Sequence, residues 1–308
     1  MRPSALAGLA CLLAIWSTAD AAAQTAARPP TPPATRSGGT PPPADDAEAL
    51  AQVALGESYR FGRNGLARDP AKACDVWDAV KTRTGVAAHD LAQCFYDGVG
   101  RPQDYAAARL WYGKAAELGF VPSGCALGNM MIKGLGGERN AARGLALCQQ
   151  AAASGDANAQ ADMGDYYLGS GGVLAADPAQ AKLWYQKAAL QGQPNAAFNL
   201  AVIYWNGDGG VARDRDEAVR WWRKAFEWGR ADAARYLGDW AFLRFQSGAV
   251  QSGSDVLLEE AIDWYRKAAD GAADDRARSD ALRALGAAQE VRRAAPGAHS
   301  RGAPASTR

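Results

Sequence analysis

Histidine is scarce in this chain: two residues in 308, His89 and His299. They lie far apart in unlike surroundings, which leaves no His-based triad and no His-rich metal site. An excess of either charge is missing too. Lys plus Arg number 34 and Asp plus Glu 33, a net charge of +1. No overall field therefore draws the chain to nucleic acid or to an anionic membrane. Ser-x-x-Lys, Ser-Asp-Asn and Lys-Thr-Gly are all absent, which argues against a serine β-lactamase. The runs Gly98-Val99-Gly100 and Gly207-Asp208-Gly209 follow helical patterns rather than strands. They lack the context of a dinucleotide-binding loop and read as turns. The expectation is a non-enzyme with no catalytic, cofactor-binding or metal-binding residues and no cofactor.

Long apolar runs are confined to the start. Arg2 precedes Ala5-Leu6-Ala7-Gly8-Leu9-Ala10-Cys11-Leu12-Leu13-Ala14-Ile15-Trp16, and small residues follow at Ala19, Ala21 and Ala23. Residues 1–23 read as a secretory signal peptide, too short to span a bilayer. No other segment could span, so no integral membrane segment is expected after cleavage. A lipid anchor on Cys11 is disfavoured by the apolar residues that continue past it. Residues 24–45 carry Pro29-Pro30, Pro32-Pro33 and Pro41-Pro42-Pro43 and are expected to be a disordered linker. The Arg-containing tail, 294–308, is expected to be disordered as well. The protein is expected to be exported and periplasmic.

Repetition fills the rest. One phrase reads Trp111-Tyr112-Gly113-Lys114-Ala115-Ala116, then Trp184-Tyr185-Gln186-Lys187-Ala188-Ala189, Trp221-Trp222-Arg223-Lys224-Ala225, and Trp264-Tyr265-Arg266-Lys267-Ala268-Ala269. Leu147-Cys148 and Val76-Trp77 are degraded copies. A second phrase, Leu-Gly-x-x-Tyr-x-x-Gly, starts at Leu55, Leu91, Leu127, Met163, Leu200 and Leu237, at steps of 36 or 37 residues. A fixed period of this size means stacked units. We call the Leu-Gly element helix A and the Trp-Tyr element helix B.

Turn chemistry links the two. Gly62, Gly98, Gly134 and Gly207 sit seven residues past the Leu, with Ser170 in the fourth slot, where a left-handed C-cap belongs. Asp69, Asp104, Asn140, Asp177 and Asp214 follow in register as N-caps of helix B, with Pro70 and Pro178 behind two of them. Six hairpins are expected over 46–293, with a final A-type capping helix near Asp274 to Arg293. The sixth connection, around Phe245 to Ser254, is longer than the others.

These paired phrases resemble the Sel1-like repeat, a relative of the tetratricopeptide repeat, over about three quarters of the chain. The resemblance implies an all-α fold, a right-handed α-solenoid used for protein–protein interaction. It points to a scaffold or adaptor of the bacterial cell envelope, with a protein or peptide partner of unknown identity. Two other implied readings are a β-lactam-binding or hydrolysing enzyme of the cysteine-rich hairpin-repeat type, and a secreted adhesion factor.

The site expectations follow. Trp111, Trp184, Trp221 and Trp264 are assigned to core packing between hairpins. The position two after the Leu reads Glu57, Gln93, Asn129, Asp165, Val202 and Asp239, with Tyr96 and Trp205 beside it. If the units stack as tetratricopeptide repeats do, this row lines a concave groove that could hold a peptide. Replacing Asn129 and Asp165 with Ala is expected to weaken capture without affecting the fold. Outside Cys11 the cysteines are Cys74, Cys94, Cys125 and Cys148. Export permits disulfides, and antiparallel hairpins favour Cys74 with Cys94 and Cys125 with Cys148. Buried free thiols are the alternative.

Overall fold

A computed structural model describes residues 44–248 and 254–294. The expected signal peptide, nearly all of the linker, part of the sixth connection and the tail lie outside the described residues. Among those described there are thirteen α-helices and no strand. Six A–B hairpins follow one another: α1 (Ala44–Phe61) with α2 (Pro70–Val80), α3 (Gly85–Asp97) with α4 (Tyr105–Glu117), and α5 (Val121–Lys133) with α6 (Ala141–Ala153). The next are α7 (Ala157–Tyr167) with α8 (Pro178–Leu190), α9 (Pro194–Asn206) with α10 (Arg215–Glu227), and α11 (Ala233–Gln246) with α12 (Ser254–Asp270). A last A-type helix, α13 (Asp275–Ala294), packs on α12. This is a repeat solenoid; from α1 to α9, and again from α11 to α13, each helix packs on its sequence neighbours.

The described residues divide into two compact units, within Ser37–Ala225 and Phe226–Arg308. The longer holds α1 to α9 and most of α10. The shorter holds α11 to α13.

The Asx register has two jobs. Each side chain caps its B helix: Asp69 accepts from the Lys72 N–H at 3.0 Å, Asp104 from Ala107, Asn140 from Arg143, Asp177 from Gln180 and Asp214 from Glu217. Each backbone N–H also donates back to helix A. Asp69 reaches Tyr59, Asp104 Phe95, Asn140 Met131, Asp177 Tyr167 and Asp214 Tyr204, at 2.7–2.9 Å. The acceptor is always the residue four past the motif Leu. One Asx residue thus satisfies a free N–H of helix B and closes the hairpin.

The paired glycines of the turns divide the labour. Gly98 takes the left-handed C-cap at φ 69°. Gly100 lies where a Cβ would come within 2.4 Å of the Pro70 carbonyl oxygen, so it lets the turn sit against the start of the preceding B helix. Ser170 departs from expectation. Helix α7 stops at Tyr167, and Gly169 (φ 96°) adopts the left-handed geometry, with Ser170 in a short 3-10 turn. A side chain with a Cβ pays for that geometry and an adjacent glycine does not.

The aromatic phrase packs differently from expectation. Its second residue enters the core in every hairpin: Trp77, Tyr112, Cys148, Tyr185, Trp222 and Tyr265 are all buried. Among the first residues, Trp221 is buried as expected, whereas Trp111, Trp184 and Trp264 are only half-buried. Adjacent helical residues point about 100° apart, so only one of the pair can face helix A. The first Trp lies under a lysine, with ammonium-to-ring distances of 4.2 Å for Lys187 on Trp184 and 4.4 Å for Lys224 on Trp221. In these hairpins and in the sixth the Trp-x-x-Lys spacing is therefore a cation–π clasp, whereas Trp111 lies under Lys81 of the preceding B helix.

The small residue after the Leu receives the buried ring. A Cβ on Gly164 would stand 2.5 Å from the Tyr185 ring, and one on Gly238 2.6 Å from Tyr265.

Candidate functional site

The row two residues past the motif Leu was expected to be a free groove wall. The structure gives half of it, Gln93, Asp165 and Asp239, a tyrosine partner inside the hairpin. Gln93 accepts the Tyr112 hydroxyl at 3.1 Å and Asp239 accepts that of Tyr265 at 2.9 Å; Asp165 accepts that of Tyr185. Burial raises the pKa of all three tyrosines above the ordinary phenol value, and in each case a nearby aspartate, Asp97, Asp165 or Asp239, adds to the shift. In these hairpins a buried hydroxyl on helix B meets an acceptor on helix A. Where helix B carries Trp222, helix A carries Val202 instead. A buried hydroxyl left without a partner costs about 1–3 kcal/mol, which accounts for the matching.

A second set of contacts runs between hairpins, along the A helices of the longer unit. Asn129 on α5 donates from Nδ2 to Asp162 Oδ2 on α7 at 2.9 Å, and its Oδ1 accepts the Tyr166 hydroxyl. Asn199 on α9 donates from Nδ2 to Asp165 Oδ1 on α7 at 3.1 Å. The same step is taken twice: position two after the Leu of one hairpin meets position one before the Leu of the next. Each pair joins one amide to one carboxylate. Burial drives the Asp162 pKa up to about 7; the Asn129 hydrogen bond opposes this and the Asp165 and Asp156 charges add to it. Sequence reasoning missed Asp162, Tyr166 and Asn199. Aligning the position before the Leu across repeats would have shown Asp162 and Asn199 in one column.

The remaining row residues differ in surroundings. Glu57 is exposed. Tyr96 is half-buried, edge-on to Tyr105 at 5.5 Å. Trp205 is half-buried, 5.2 Å from the Trp222 ring, with the Arg215 guanidinium 5.1 Å above it. Asp239 belongs to the shorter unit and also pairs with Arg235 at 3.0 Å. Asn129 and Asp165 also accept the hydroxyls of Tyr166 and Tyr185, so replacing them with Ala would remove those hydrogen bonds as well as any contact with a ligand. His89 is half-buried, bonded through Nδ1 to Ser123 Oγ at 2.8 Å, with the Phe120 ring centroid 5.0 Å away.

Both cysteine pairs are disulfides. Cys74–Cys94 joins α2 to α3, across two hairpins, with Cα atoms 6.2 Å apart. Cys125–Cys148 closes the third hairpin from within, at 4.1 Å. The two sit in unlike electrostatic settings. The Arg101 guanidinium, which bridges Asp75 and Asp78, also reaches the Cys74 carbonyl. The Asp162 carboxylate lies 3.3 Å from Cys125 Sγ, and Asn129 Oδ1 3.5 Å from Cys148 Sγ. Among the described residues, Cys125, Cys148 and Asp162 form one group whose potential ligand atoms lie within 4.8 Å of one another. No helix of the described residues is long and apolar enough to cross a membrane.

Comparison with known proteins agrees with this geometry. A family model described as the Sel1 repeat matches residues 49–75, 85–120, 125–156, 157–193, 194–227 and 231–272. Among solved structures, the chain is similar to a protective antigen present in uropathogenic Escherichia coli strains that displays an SLR fold. That match has 27% identity and a TM-score of 0.55 and covers 80% of this chain, which spans only 56% of the antigen's length. A Sel1 repeat protein from Oxalobacter formigenes is similar at 26% identity and TM-score 0.54, over 71% of this chain and 87% of that one. No curated protein matches.

Proposed function

The chain belongs to the Sel1 repeat family, and from that premise we propose that it is a non-catalytic scaffold of the bacterial cell envelope. Sel1 repeats are often protein-interaction modules. The face that binds is the one built by α3, α5, α7 and α9 in the longer unit, and the partner is an extended peptide segment of another protein. The observation that carries this reading is the line of half-exposed amides and carboxylates Gln93, Asn129, Asp162, Asp165 and Asn199. Tyr112, Tyr166 and Tyr185 fix four of these from below. Side chains held in this way lose little entropy on binding, so their hydrogen-bonding capacity is available at low cost. Tyr96 and Trp205 flank the line with aromatic surface of the kind that anchors interfaces. The carboxylates favour a segment carrying basic side chains. Export to the periplasm is part of the proposal; it is supported by the two disulfides and by the leader-like residues 1–23.

Site-specific photo-crosslinking in the producing cell tests it. A photoreactive residue at Tyr96 or Trp205 is expected to capture one defined polypeptide, whereas one at Leu110 or Leu183, exposed on B helices, is not. Capture by the B-helix positions alone, or by neither set, overturns the assignment of the face.

A further inference from the structure

The third hairpin holds more chemistry than a crosslink needs. Cys125 and Cys148 are almost fully enclosed, yet a carboxylate and an amide oxygen face their sulfurs. The Asp162 carboxylate is held against Cys125 Sγ by the Asn129 amide, and the Asn129 oxygen lies 3.9 Å from Cys125 Sγ and 3.5 Å from Cys148 Sγ. We propose that Cys125, Cys148 and Asp162 form a redox-gated metal site, in which opening of the disulfide exposes two thiolates and a carboxylate to one thiophilic divalent cation such as Zn2+.

The chemistry balances in two steps. A dithiol reductant gives two electrons and two protons to the Cys125–Cys148 bond; it becomes a cyclic disulfide and the protein gains two thiols. The cation then displaces both thiol protons and bonds the two sulfurs and an Asp162 oxygen. Asn129 Oδ1 or a water completes the four donors that Zn2+ prefers. Zinc–sulfur bonds of about 2.3 Å need the sulfurs to part beyond their bonded distance, which rotation about Cα–Cβ supplies. Two buried thiolates beside a carboxylate are costly unless a cation neutralises them. Thiolate donors select zinc-like over magnesium-like ions. The other disulfide is an internal control. Cys74 and Cys94 form no such donor group among the described residues, and the nearby Arg101 guanidinium repels a cation.

The test uses the full chain, reduced with dithiothreitol and freed of it without oxygen, then titrated with Co2+. The expected result is uptake of one ion, with the visible bands of tetrahedral cobalt and thiolate charge-transfer absorption, displaced by Zn2+. The oxidised chain is expected to show neither. Asp162→Asn is expected to weaken affinity by about tenfold or more, while Cys74→Ser with Cys94→Ser leaves uptake intact. As a check that needs no variant, Zn2+ should shield Cys125 and Cys148 from alkylation while Cys74 and Cys94 react. A reduced chain that takes up no cobalt, folded or not, overturns the proposal. So does shielding of Cys74 and Cys94 in place of the other pair.

Discussion

The third and fourth hairpins occupy equivalent places in the repeat and are held together by different means. In the fourth, the fully buried Tyr185 ring lies on Gly164 and its hydroxyl is received by Asp165. In the third, Cys148 takes the place of the tyrosine, Asn129 that of Asp165, and a disulfide to Cys125 replaces ring burial. The smaller side chain allows a closer approach. A Cβ on Gly128 would stand 2.4 Å from the Gly144 carbonyl oxygen, a backbone atom, whereas one on Gly164 meets a ring. The slot is thus filled in the fourth hairpin by an aromatic with an acceptor and in the third by a crosslink with closely approaching backbones. A phrase that looks degraded in the sequence is a second solution to the same packing problem.

The largest expected effect attacks that close approach. Gly128→Val should give no folded third hairpin, since backbone cannot yield as a side chain end can. Gly164→Ala should fold with a loss of about 1–3 kcal/mol, because the Tyr185 ring can shift. Urea denaturation of both variants checks the difference, and equal losses would mean the two contacts are alike. Next in size comes removal of each hairpin's own fastening. Tyr185→Ala should cost about 3–5 kcal/mol through the cavity it leaves. Replacing Cys125 and Cys148 with Ser should cost about 3 kcal/mol, the value for a loop of this length. Reductant should lower the stability of the parent and leave that double variant unmoved by the Cys125–Cys148 term.

How much of this was readable beforehand depends on how local the cause is. The Asx caps and the turn glycines act within a few residues, and their register located the first five hairpins; the sixth rested on the phrases at Leu237 and Trp264. The choice between the two aromatics of the phrase was not readable, because Trp184 and Tyr185 are both large aromatics with one polar group and only the fold decides which faces α7. The Asn129–Asp162 and Asp165–Asn199 pairs were out of reach for a related reason. They depend on which residue of one A helix lies against the next, a relation 33 or 34 residues apart in the chain. The position two past the Leu was picked out for its polarity, but polarity did not distinguish a wall for ligands from an acceptor for buried hydroxyls.

A smaller effect separates the hairpins by pH. Tyr112, Tyr185 and Tyr265 keep their protons in the folded state at pH values where an unfolded tyrosine, with a pKa of about 10, has lost its own. The folded state then binds more protons than the unfolded one. Stability is thus expected to be steady below about pH 10 and to fall above it, by about 1.4 kcal/mol per tyrosine for each further pH unit. Phenolate absorbance should rise together with loss of helix. A gradual rise in a chain that stays helical would show that these hydroxyls are open to solvent. The third hairpin, with Cys148 in the tyrosine's place, contributes nothing at this position.

The smallest effect tests the matching rule itself, in the fifth hairpin, where neither solution above is used. There Trp222 is buried opposite Val202, the position that elsewhere holds an acceptor. Trp222→Tyr alone introduces a hydroxyl with no acceptor at that position. Val202→Asp alone introduces a carboxylate with no hydroxyl to receive. Each should destabilise the chain. Together they rebuild the Tyr185–Asp165 arrangement, and the double variant should recover about 1 kcal/mol relative to the sum of the two losses. Urea unfolding of the four proteins measures this coupling directly. If the losses simply add, to within about 0.5 kcal/mol, the correspondence among Tyr112, Tyr185 and Tyr265 is a coincidence of three hairpins. If the coupling appears, the acceptors on the A helices are held in place by their own hairpins, and any ligand meets side chains that are already fixed.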